Sequence, residues 1–148
     1  MSMLTTAFKL DEIENTRFHP PGRYRGYITA WASGVAGTGT EYIVFSLKAN
    51  EALSGQDMSG VQMERILDSR RFYLKPGSKV NTQFWDAVRN AMPNFKEHIR
   101  ATTGKEEVET RDAAELIVGT EVDFDYLPET NKQTGKEYIS VQRWKKSA

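Results

Sequence analysis

The sequence predicts a mainly β chain with a helical insertion. Apolar residues alternate with polar and charged ones over about residues 23–49, again within 63–75, and again from 120 to 145. Between 81 and 118 the apolar spacing changes to that of helices, and Pro93 and Gly119 act as stops. Three strands, a helical segment and two strands follow one another in that order.

The first strand is expected over Arg23–Ala32, entered through Pro20-Pro21-Gly22. Tyr24, Gly26, Ile28 and Ala30 share one face, and Arg23, Arg25, Tyr27, Thr29 and Trp31 the other. Gly26 in mid-strand predicts a bend or bulge. The loop Ser33–Thr40 contains three glycines and lets a ligand approach the backbone. The second strand is expected over Glu41–Ala49, with Ile43, Phe45, Leu47 and Ala49 inward and Tyr42, Val44, Ser46 and Lys48 outward. Asn50–Val61 reads as a long connection. The third strand lies within Met63–Lys75. It includes Ile66-Leu67, kinks at Asp68-Ser69, points Phe72 and Leu74 inward, and points Arg71, Tyr73 and Lys75 outward.

Pro76-Gly77-Ser78 ends the sheet region, and Asn81 is the expected cap of a helix with Phe84, Trp85, Val88, Ala91 and Met92 at helical spacing. Trp85 is expected in the core. A second short helix spans Phe95–Ala101, and a third spans Ala113–Val118 with Thr110 or Asp112 as its cap and Gly119 as its terminator. The fourth strand, Thr120–Leu127, alternates Val122, Phe124 and Tyr126 with Glu121, Asp123 and Asp125, and the acidic face reads as solvated. Pro128–Gly135 is a turn-rich loop. The fifth strand, Lys136–Lys145, points Ile139 and Val141 one way and Tyr138, Ser140, Gln142 and Trp144 the other.

This order matches the five-stranded OB barrel, with helices between strands three and four. A β-sandwich more often lacks central helices, and an α/β sheet alternates helix and strand throughout. At 148 residues the chain reads as an N-terminal arm, 1–19, whose Leu4, Phe8, Leu10 and Ile13 pack loosely on the body, and one domain, 20–148. Apolar residues make up 39% and charged residues 27%, the usual range for a globular protein. The absence of cysteine excludes disulfides, thiol catalysis and cysteine metal sites, and fits a cytoplasmic protein. Charges within 1–20 exclude an apolar signal core there, and no apolar run approaches membrane-spanning length.

The net charge is zero, but its distribution is uneven. Residues 1–19 carry −1, residues 20–80 carry +3, residues 81–131 carry −6 and residues 132–148 carry +4. Basic strands and an acidic insertion make a dipolar protein, able to hold an anion on one face. OB barrels bind across strands two and three, flanked by the loops joining strands one to two and four to five. That rule selects Tyr42, Lys48, Arg71, Tyr73 and Lys75 on the sheet, Trp31 near the first loop, and Lys132 and Lys136 in the second. Arg23, Arg25 and Tyr27 share the outward phase of strand one and join the candidate set. Cations along a strand's backbone and flat rings for its bases are what single-stranded nucleic acid requires. Trp144 either anchors the last strand on the body or contacts the ligand.

Three stretches carry a family likeness: Pro21-Gly22-Arg23-Tyr24-Arg25-Gly26, Leu116-Ile117-Val118-Gly119-Thr120-Glu121-Val122 and Gly135-Lys136-Glu137-Tyr138-Ile139-Ser140-Val141. With the element order, the chain over about residues 20–145 resembles the small OB-fold single-stranded DNA-binding proteins of bacteriophages. The resemblance implies binding without strong sequence preference, work in DNA replication or recombination beside other proteins of those processes, and a place in the host cytoplasm. Many such proteins end in an acidic tail that recruits partners. This chain ends Arg143-Trp144-Lys145-Lys146-Ser147-Ala148, so recruitment by a tail is not expected.

No cofactor, metal or enzymatic activity is expected. His19 and His98 sit in no metal spacing, Gly34, Gly37 and Gly39 lack the lysine and helix of a phosphate loop, and no Gly-x-Ser-x-Gly nucleophile motif exists. Glu121, Asp123 and Asp125 line one face of the fourth strand, and a metal-dependent nuclease needs such carboxylates, but alternating acids on a strand usually form a solvated face. The principal alternative is a protein-interaction barrel, a virion or regulatory component that holds a peptide or a sister subunit on the same sheet and has no affinity for nucleic acid.

Overall fold

The computed structural model describes residues 3–13, 17–77 and 81–148; the expected turn residue Ser78 lies outside them. The fold is mainly β. Its strands are β1 Gly22–Val35, β2 Glu41–Ala52, β3 Leu67–Asp68, β4 Phe72–Leu74, β5 Glu121–Thr130 and β6 Glu137–Lys146. Helices α1 Asn81–Ala91, α2 Phe95–Thr103 and α3 Thr110–Ile117 lie between β4 and β5, where the change of periodicity puts them. All six strands join one antiparallel sheet in the order β3-β2-β1-β5-β6, with β4 also on β2. An isolated parallel bridge joins Ser69 to Val141, and the Arg70 N–H donates to the Val141 carbonyl at 2.9 Å. Among the described residues no helix is long and apolar enough to cross a membrane.

The expected inner faces of the first two strands are buried: Tyr24 and Ile28, then Ile43, Phe45, Leu47 and Ala49. Phe45 is central, with ring centroids 5.9 Å from Phe72, 6.4 Å from Phe84 and 5.5 Å from Trp144. Gly26 sits at a register shift, as its mid-strand position predicts. A Cβ there would lie 1.9 Å from the Lys48 carbonyl oxygen, so only glycine lets β1 and β2 approach this closely.

Three further irregularities depart from strict alternation. An extra residue at Thr29, between the Ile28–Leu47 and Ala30–Ser46 pairs, reverses the phase of the second half of β1. Ala30 therefore turns outward and Trp31 turns toward the core, opposite to expectation. In the third strand, Ser69-Arg70-Arg71 oppose only Val44-Phe45, splitting the expected strand into β3 and β4. Ser69 holds the break: its N–H donates to the Phe45 carbonyl at 2.8 Å and its hydroxyl accepts from the Phe45 N–H at 2.9 Å. Ile66 precedes β3 and is 49% exposed. The third irregularity inserts Gln142 in β6, between the Asp125–Arg143 and Tyr126–Val141 pairs. Val141 and Trp144 consequently both enter the core, while Ile139 lies out on the hairpin. The Trp144 indole N–H donates to the Ala87 carbonyl of α1 at 2.9 Å, which anchors the last strand on the body.

On α1, Phe84, Val88 and Ala91 are buried, while Trp85 is only half-buried and stacks on Phe95. Asn81 opens α1, and its amide brackets Lys75: Oδ1 accepts the Lys75 N–H at 2.7 Å and Nδ2 donates to the Lys75 carbonyl at 2.9 Å. Neither Thr110 nor Asp112 caps α3; Glu109 holds that position without a side-chain bond. Gly119, at φ +92°, lets the chain leave α3 and donate its N–H to the Ile28 carbonyl at 2.7 Å.

Residues 17–20 are strapped to the 57–65 connection. The Arg17 guanidinium donates to the carbonyls of Asp57 and Ser59, Arg65 lies 3.8 Å over the Phe18 ring, and the Tyr24 hydroxyl donates to the Pro20 carbonyl. His19 is buried edge-on to Tyr24 at 5.7 Å, with both ring nitrogens lacking a hydrogen-bond partner among the described residues. Burial, and then the Arg65 charge, push its pKa below the ordinary value. Leu4, Phe8, Leu10 and Ile13 of the arm are exposed, against the expectation that they pack on the body.

Candidate nucleic-acid interface

β4 continues from β3 past the Ser69–Val141 bridge, while the β5–β6 hairpin continues beyond the body on the other side. The open cleft between them, about 580 Å³, is bordered by Asp68, Arg70, Arg71 and Tyr73 on one wall and by Glu129, Asn131, Tyr138 and Ser140 on the other. Tyr73 pairs in register with Tyr42 of β2, their rings edge to face at 6.1 Å. The Arg71 guanidinium lies 4.3 Å over the Tyr42 ring, a cation–π contact that leaves its donors directed elsewhere. Tyr138 is 45% exposed and pairs in register with Glu129. Partial burial and then the Glu129 carboxylate raise the Tyr138 hydroxyl above its ordinary pKa, and Arg70 opposes them.

The arginines of the sheet fall into two groups. Arg23 Nε donates to Asp125 Oδ1 at 2.9 Å, and Arg143 Nε donates to Asp125 Oδ2 at 2.6 Å. Arg25 donates to both oxygens of Asp123 at 2.8 and 3.2 Å, and the Ser147 hydroxyl adds a bond at 2.9 Å. Asp123 and Asp125 are buried, so the acidic face of the fourth strand is an ion-pair ladder and not the expected solvated face. The Arg25 bond holds the Asp123 pKa low; burial pushes Asp125 up, but the bonds from Arg23 and Arg143 outweigh it and hold it below the ordinary value. With those bonds in place, neither carboxylate is open to a catalytic metal. Arg17, Arg89, Arg100 and Arg111 also form ion pairs. Arg65, Arg70 and Arg71 form none among the described residues, and of these Arg70 and Arg71 border the cleft.

The expected site residues separate accordingly. Tyr42, Arg71 and Tyr73 come together. Arg23 and Arg25 lie outside the cleft with their charges matched. Tyr27 faces Glu121, which raises its hydroxyl pKa, and is the register partner of exposed Lys48. Trp31 turns inward, and its indole N–H donates to Glu115 Oε2 at 2.6 Å. Lys75 is exposed beyond β4. Lys132 and Lys136 are exposed in the hairpin turn, which Asn131 organises by accepting the N–H groups of Gln133 and Thr134 through Oδ1. Arg70, Glu129, Asn131 and Tyr138 were not anticipated. The Arg70-Arg71 doublet was a visible signal, since two adjacent cations reach one cleft only where a strand is broken.

No family model matches the chain, and no curated protein matches it.

Proposed function

We propose that the protein binds single-stranded DNA without strong sequence preference, through the cleft between β3–β4 and the β5–β6 hairpin, and that it is not an enzyme. The observation carrying this reading is that Arg70 and Arg71, without carboxylate partners among the described residues, stand in one open cleft with Tyr73 and Tyr138 and beside Tyr42. Cations track phosphates, and rings accept base faces, whatever the base. We further propose that the sheet closes as an OB barrel. Its two edge segments run the same way, because an even number of antiparallel steps separates them, and the parallel Ser69–Val141 contact joins them. The cleft then occupies the place where OB barrels take single strands. By resemblance, the setting is phage DNA replication or recombination in the host cytoplasm, alongside proteins of those processes.

The test is fluorescence anisotropy of a labelled oligo-dT at low salt, with duplex DNA as comparison. Binding that prefers the single strand and weakens as salt rises is expected; no change in anisotropy rejects the reading. The exposed Phe8, Leu10 and Ile13 favour a second reading, docking of a partner protein or sister subunit. An oligomer or protein complex with no affinity for DNA would establish it instead.

A further inference from the structure

The cleft holds two groups that a purely phosphate-tracking groove would be better without. Asp68 and Glu129 border it, and neither forms an ion pair among the described residues. Two unneutralised carboxylates repel a phosphate backbone, so their presence beside Arg70 and Arg71 calls for a ligand with donor groups as well as anionic ones.

We infer that Glu129 and Asp68 accept hydrogen bonds from the amino groups of bases held in the cleft, so that the site favours cytosine over thymine. This rests on the single-strand reading above and adds a base preference to it. An ionised carboxylate is an acceptor only. Glu129 is the register partner of Tyr138, which places its carboxylate beside the ring offered for stacking. A base lying on that ring presents its polar edge sideways, toward the cleft walls. Cytosine offers the two N–H donors of its N4 amino group, the pairing that carboxylates make with this base in duplex grooves. Thymine offers oxygens at both flanking positions and one N–H between them, so the same carboxylates meet lone pairs. The Ser140 hydroxyl both donates and accepts, and the Asn131 amide, whose oxygen holds its own turn, offers N–H donors that meet an oxygen on either base, so neither discriminates. Stacking is nearly indifferent to base identity, which leaves the carboxylates as the determinants of preference.

The experiment measures the affinity of the full chain for labelled oligo-dC and oligo-dT of equal length, roughly 12 nucleotides to fit the usual span of one such fold. Near neutral pH both are unstructured single strands. The wild-type protein is expected to bind oligo-dC about fivefold more tightly, the low end of what one good base-edge contact confers. In the double variant Asp68→Asn, Glu129→Gln the ratio should fall to about one, since amides donate to thymine O4 as readily as they accept from cytosine N4. The ratio should close mainly from the oligo-dT side, because thymine O4 then meets amide N–H groups in place of carboxylate lone pairs. Both side chains are exposed, and an unchanged melting temperature will show that the variant is folded. Equal wild-type affinities, or a cytosine preference that survives in the double variant, overturn the inference while leaving the single-strand reading intact. Failure to bind either oligonucleotide overturns both.

Discussion

The two groups of arginines should separate in the salt dependence of DNA binding. Consider two double variants, Arg70→Ala with Arg71→Ala, and Arg23→Ala with Arg25→Ala. Each phosphate of a single strand neutralised by the protein contributes about 0.7 to the slope of log K against log salt. Arg70 and Arg71 have no carboxylate to leave among the described residues, so losing both should flatten the slope by about 1.4. Over a fourfold rise in salt, that amounts to a loss of affinity roughly sevenfold smaller than in the wild type. Arg23 and Arg25 already contact Asp125 and Asp123 at 2.9 and 2.8 Å, so they release no counterion on binding. Their removal should change the slope by less than one contact, under about 0.7. Stability should respond in the opposite sense. Removing Arg25 strands the buried Asp123 and lowers the melting temperature, whereas removing Arg70 and Arg71 forfeits only the Arg71–Tyr42 contact and lowers it far less. Anisotropy titrations at ~50, 100 and 200 mM salt measure the slopes, the range over which such contacts are resolved. If the Arg23/Arg25 variant flattens the slope as much as the Arg70/Arg71 variant, the division of the sheet into a neutralised face and a binding cleft is wrong.

Tyr73→Ala and Tyr138→Ala should each weaken oligonucleotide binding by about 1–3 kcal/mol, while Trp31→Phe leaves affinity unchanged, as read by the same titration. Gly26→Ala should destabilise the fold by about 3 kcal/mol in urea unfolding, the upper end of overpacking penalties, because the new Cβ meets backbone that cannot rotate away. Stability should also fall with pH in two stages. His19 is held below its ordinary pKa, so the unfolded chain takes up its proton first; that stability is complete above about pH 6.5 and is lost as the pH drops further. The charged and titratable groups acting on it are Arg65, Glu64 and Tyr24, and His19→Phe should abolish this first limb. Asp123 and Asp125, also held low, give a second loss below about pH 3.9, which His19→Phe leaves in place.

Much of the sheet was legible because alternation reports which side of a strand is dry. Phe45 and Leu47 follow from it directly, and so does the outward group of Tyr42, Arg71 and Tyr73. What escaped was the position of single inserted residues. Thr29 and Gln142 are ordinary residues in ordinary strand sequence, yet each reverses every side chain beyond it, which is why Trp31 was expected outside and Trp144 was left undecided. Gly26 was foreseen because glycine leaves a trace where backbones meet. The ladder was hidden for a different reason. Arg23 and Arg25 look like free cations until their partners, 102 and 98 positions away, are known to lie opposite them. Tyr138 was seen as an outward ring, but the cleft that makes it useful depends on the break at Ser69, and a serine in a strand gives no warning of that.

The same long-range pairing sets a timetable for synthesis. β1 and β2 form a hairpin as soon as both have been made, but the other side of β1 waits for β5, more than eighty residues later in the chain. Contacts of such separation make for slow assembly. The first-made wall of the cleft, Asp68 to Tyr73, stands with nothing facing it until Glu129 to Ser140 have been translated and the final hairpin has docked through Trp144 and Arg143. A growing chain therefore carries one wall of the cleft without the other. The cleft is completed in one late step, when the last hairpin locks against the body.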